Sequence, residues 1–169
     1  MKKQTCSDIL SGLGACSEAV DWSKQFGTNH LKAWKACNRG DHLLWYAGKL
    51  SGPVGDERRK KLVLAACGCA RLALPLFEKR YPDDKRVRDC IETAEKWARN
   101  EATLEAFEVA RRNCYSDAAY SAASAYSAAS AADAAYAADA ADAAANARTT
   151  TLAKCAVLVR KRLKVQDIR

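Results

Sequence analysis

Residues 57–81 read ERRKKLVLAACGCARLALPLFEKRY, and this stretch decides the fold class. From Leu62 to Leu74 it is apolar around most of a helix, so it predicts a helix packed on several sides. Asp56 stands where a capping side chain can satisfy free N–H groups of the first turn. The helix is expected from Glu57 to about Tyr81, with a kink at Pro75, because proline removes a backbone donor. Arg71 is the anomaly: a guanidinium inside an apolar helix needs a paired anion. That anion is either an internal carboxylate, Asp41 or Asp89, or an anionic ligand. The internal pair is favoured, since buried charges are usually compensated within the fold.

Helix punctuation extends the pattern in both directions. Upstream, Ser17 and Glu18 suit a helix start and Gly27 a stop. Asn29 can cap the next helix, which ends near Arg39-Gly40, and Asp41 can cap a third over His42–Leu50. The run Ser51-Gly52-Pro53-Val54-Gly55 is a loop. Downstream, Pro82-Asp83 restarts the chain into a helix ending near Asn100, and no Gly or Pro follows. One unbroken helix from there would span ~130 Å at ~1.5 Å per residue, which a small protein cannot pack. The breaks are expected at 100–103 and 146–151, where Asn and Thr compete for backbone hydrogen bonds. That leaves a long Ala-rich helix from about Glu101 to Ala147 and a last helix from about Thr150 to Lys164. Leu152, Ala156, Val159 and Leu163 form an apolar stripe on the last one. With no strand-like alternation anywhere, the expectation is all-α: one domain over 1–169, an irregular bundle of about six to eight helices.

The Ala-rich stretch 118–147 reads AAYSAASAYSAASAADAAYAADAADAAANA. Its polar residues, Ser121 through Asp142, recur every third position. They therefore wind around a helix instead of lining one face. Small side chains allow close helix approach. The alternative is a recognition surface, with Tyr115, Tyr120, Tyr126 and Tyr136 beside Asp133 and Asp139, suited to a basic partner or to self-association as a homo-oligomer.

The formal charge of +8 permits binding to nucleic acid or to an acidic protein surface. Basic residues concentrate at Arg58-Arg59-Lys60-Lys61 and in the tail Arg160-Lys161-Arg162-x-Lys164, yet no nucleic-acid recognition motif accompanies them. No segment is apolar over the ~20 residues needed to cross a bilayer. The first residues lack the apolar run of a secretory signal. The expected location is the cytoplasm of a bacterium or of a cell infected by its virus, so the eight cysteines read as free thiols.

Metal and catalytic signatures are sparse. There are two histidines and no C-x-x-C. Cys37 and His42 straddle a turn, but a structural zinc needs four converging ligands, and the expectation is no metal and no cofactor. No nucleophile motif occurs, and Gly12-Leu13-Gly14 is not a phosphate loop. The chain is expected to bind, not to catalyse. The densest constellation is residues 34–46, WKACNRGDHLLWY. Structurally, Arg39-Gly40 closes one helix, Asp41 opens the next and both indoles pack inside. Functionally, Trp34, Arg39, Asp41, His42, Trp45 and Tyr46 could line a pocket for a ligand or partner.

Four segments carry a resemblance: AWKACNRGDHLLWYAGKL, RRKKLVLAACGCARLALPLF, RVRDCIETAEKWARNEATLEA and LAKCAVLVRK, with the Ala/Asp/Tyr/Ser repeat between the last two. The chain resembles the immunity protein family numbered five of bacterial polymorphic toxin systems, over nearly its whole length. The most specific parts are A-W-x-A-C-x-R-G-D-x-L-L-W and A-E-x-W-A-R-x-E-A-T-L-E. The resemblance implies an all-α protein that neutralises a toxin, or in phage-like members a host defence effector, by stoichiometric binding. His42 departs from the family pattern, which leads to an aromatic such as Trp after the Asp. Two rival functions rest on the residues: sequestering an anionic nucleotide signal through Arg39, Arg71, Trp45 and Tyr46, and nonspecific nucleic-acid binding through the net charge.

Overall fold

The computed structural model describes residues 3–114 and 145–164. They form α1 (Cys6–Gly12), α2 (Ser17–Ser23), a 3-10 turn (Lys24–Phe26), α3 (His30–Ala36), α4 (Gly40–Leu50), α5 (Glu57–Arg80), α6 (Arg86–Ala98), α7 (Leu104–Asn113) and α8 (Ala145–Arg162). No strand occurs among the described residues, and the protein is all-α.

α5 is the organising element because it is buried on two sides. Val63, Cys67, Ala70, Leu74 and Phe77 pack with Val87, Cys90, Ile91, Ala94 and Trp97 of α6 and with Phe107 of α7. Leu62, Ala65, Ala66 and Cys69 face the opposite way, toward Leu43, Leu44 and Ala47 of α4, Cys155, Ala156 and Val159 of α8, and Leu163 just beyond it. Alanine and cysteine at these positions keep the helix narrow, so neighbours on both flanks reach close-packed distances. Asp56 caps α5 as its position implies, accepting from Arg58 N at 2.8 Å. The helix continues through Pro75 to Arg80, with Pro75 exposed.

α8 closes the second core. The stripe Leu152, Ala156, Val159 and Leu163 is buried throughout. α8 crosses the start of α4 at Gly40, where an added Cβ would collide with Cys155 Cβ and lie 2.8 Å from Ala156 N. Gly40 is thus a glycine because of a neighbouring helix, not because of its own backbone angles. Arg160 of α8 donates from Nη1 to the carbonyl of Cys37. That bond satisfies an acceptor left free at the end of α3.

Several local expectations shift. α1 opens with a capping box, Thr5 Oγ1 accepting from Asp8 N at 3.1 Å and Asp8 Oδ2 accepting from Thr5 N at 3.0 Å. The Thr-x-x-Asp spacing was readable but lies outside the helices expected from sequence. Cys16, not Ser17, is the capping residue of α2. Asp41 lies inside the first turn of α4 rather than at its cap, because the helix already begins at Gly40, and its carboxylate accepts from the Arg39 guanidinium. The helix expected from about Glu101 to Ala147 instead starts at Leu104 and closes in a turn at Cys114, and its remainder over 115–144 lies outside the described residues. The break expected at 146–151 does not occur, because α8 runs from Ala145 through that stretch.

Candidate functional site

The corner between α3 and α4 gathers most of the candidate residues. Trp34 is buried on α3, its ring 6.4 Å from that of Tyr46 on α4. Trp45 is half-buried, with the Lys49 ammonium 5.4 Å from its ring centroid, a cation–π arrangement. Trp34 and Tyr46 belong to the outer wall of the core shared by α3, α4, α5 and α8.

At the start of α4 the side chains become polar. Arg39 donates from Nε to Asp41 Oδ1 at 2.9 Å and from Nη2 to Asp41 Oδ2 at 2.6 Å. Its Nη1 donates to Glu18 Oε1 of α2 at 2.7 Å. Burial pushes the Asp41 carboxyl up, but the Arg39 hydrogen bonds, the charges of His42 and Arg39 and the His42 N–H together hold the group below the usual carboxylate range. His42 sits one residue further, half-buried, its Nε2 4.0 Å from Cys16 Sγ. Burial lowers the His42 pKa and so favours the neutral imidazole.

Cys16 and Glu18 are the members of this corner that sequence reading missed. Both belong to the N-terminal end of α2, more than twenty residues before His42. Nothing in the local sequence marks them, because only the tertiary fold brings the start of α2 beside the start of α4. The sulfur, a Glu18 oxygen and a His42 nitrogen all lie within 4.8 Å of one another. They are the donor types that hold transition metals.

Arg71 belongs to a different network. Its Nε and Nη2 donate to the two Glu95 oxygens of α6 at 2.8 and 2.9 Å. The internal carboxylate is therefore Glu95, and not Asp41 or Asp89. A helix packed alongside α5 presents Glu95 at the level of Arg71, which loop-to-helix reasoning does not reveal. Arg88 and Glu78 repeat the same fork between α6 and α5, at 2.7 and 2.8 Å. Tyr120, Tyr126, Asp133, Tyr136 and Asp139 lie outside the described residues.

Comparison with known families gives one match: the model described as Imm-5 like putative immunity protein fits residues 52–167, more than half of the chain. The matched range includes α5 to α8, whereas the Arg39-Gly40-Asp41 corner precedes it. No protein with a curated description and no solved structure matches the chain.

Proposed function

Since the chain belongs to the Imm-5 like immunity protein family, we propose that it neutralises a bacterial toxin or defence effector by stoichiometric protein–protein binding. The family match carries this reading. Charge supports it: 28 Lys and Arg stand against 20 Asp and Glu, and residues 115–144 hold four of the acids and no base. The rest of the chain is thus strongly basic, which suits an acidic partner surface and speeds its encounter. Arg39, Trp45 and Tyr46 are residue types that carry binding energy at interfaces. Trp34, Asp41 and His42 support them at the corner, and Tyr120, Tyr126, Tyr136, Asp133 and Asp139 are further residues of types suited to a partner.

A nucleotide ligand is the weaker alternative. It would have to displace Glu95 from Arg71 and Asp41 from Arg39, and a protein partner needs neither. The test is calorimetric titration of the chain with candidate bacterial toxin domains, together with an assay of each toxin's activity. A one-to-one complex that abolishes the activity supports the reading. No binding and no protection of cells expressing the toxin would sink it.

A further inference from the structure

We propose that Cys16, Glu18 and His42 form a binding site for a divalent transition-metal ion, zinc foremost, at the junction of α2 and α4. Three observations meet there. The first is geometric: the three donor atoms lie within 4.8 Å of one another, and Cys16 Sγ is 4.0 Å from His42 Nε2. Ligands around a tetrahedral zinc stand about 3.3–3.8 Å apart, given bond lengths of about 2.0–2.3 Å. Small side-chain rotations close that gap.

The second is chemical. One sulfur, one nitrogen and one carboxylate oxygen suit zinc and its borderline neighbours, whereas magnesium and calcium require oxygen donors. A Cys16 thiolate and the Glu18 carboxylate together offset the dication. Arg39 holds Glu18 now, but it keeps a two-pronged pair with Asp41 after releasing it.

The third is access. Cys16 and Glu18 are exposed and His42 is half-buried. An ion held by three protein ligands keeps a fourth position for water or for a donor brought by a partner. The remaining histidine supplies a control. His30 Nδ1 lies 3.3 Å from Cys6 Sγ, the same donor pair, but the group of three forms only around His42 among the described residues. A bound ion would tie α2 to α4 across 26 residues of sequence.

The experiment is titration of the reduced, metal-free full chain with cobalt(II), followed by back-titration with zinc. The expected result is a cobalt–thiolate charge-transfer band that saturates at one equivalent and is abolished by zinc. The band is lost in Cys16→Ser and in His42→Gln and kept in His30→Gln, with circular dichroism confirming that each variant is folded. Absence of the band, or its persistence in Cys16→Ser, overturns the proposal. As a second readout that needs no variant, saturating zinc protects Cys16 from iodoacetamide, read by peptide mass spectrometry, and equal alkylation with and without zinc also overturns it.

Discussion

At the scale of single residues, Gly40 and Glu95 show how position decides what a side chain must be. Gly40 has the commonplace role of beginning a helix, yet α8 lies against it so closely that a methyl group meets Cys155 and Ala156. Gly40→Ala is expected to destabilise the protein by about 1–3 kcal/mol, the usual cost of overpacking. Gly12→Ala, where nothing lies within 4 Å, serves as the control. The midpoint of urea unfolding checks both. Glu95 receives the Arg71 fork, which holds its carboxyl below the usual value of 4.5 against the opposing effect of burial. A depressed carboxylate pKa stabilises the fold above the unfolded value and loses that contribution as pH falls through the folded one. Thermal unfolding should therefore separate Glu95→Gln from the parent at neutral pH, and the two should converge as the solution is acidified below about 4.5. The pair is part-exposed, so the separation is expected to be modest and to shrink in salt.

At the scale of elements, legibility followed how local each signal was. Asn29 caps α3 by accepting from Lys32 N at 3.0 Å, and Asp56 caps α5, both as their sequence neighbourhoods imply. Asp41 is not a cap, because α4 begins one residue before it, at Gly40. α7 depends on one anchor. Phe107 is fully buried and stacks on Trp97 with ring centroids 6.0 Å apart, while its neighbours Leu104 and Val109 are exposed. Phe107→Ala is expected to cost about 3–5 kcal/mol. Hydrogen exchange should then accelerate in α7 first, and faster exchange spread evenly over α5 and α6 would contradict the anchor role.

At the scale of the whole molecule, α5 divides the interior into two cores and α8 completes the second. Leu152, Cys155, Ala156 and Val159 of α8, and Leu163 just after it, are all nearly inaccessible to solvent. A chain truncated after residue 144 would uncover Leu44, Ala47, Leu62 and Ala66, which pack into the same core. It is expected to lose cooperative thermal unfolding, checked by circular dichroism, and a sharp transition in the truncated chain would show that the first core suffices. Among the described residues, no helix is long and apolar enough to cross a membrane.

By itself the sequence determined the all-α class, the caps of α3 and α5, the multiply buried character of α5 and the core stripe of α8. These follow from periodicity and capping, interactions that span about four residues and so are written along the chain. Only the tertiary structure decided that Arg71 pairs with Glu95, that Gly40 must be bare to admit α8, and that Cys16 and Glu18 stand beside His42. Each of those joins positions at least twenty residues apart. Such contacts depend on which helix faces which, and hydrophobic patterning marks the face a helix buries without naming the neighbour that covers it.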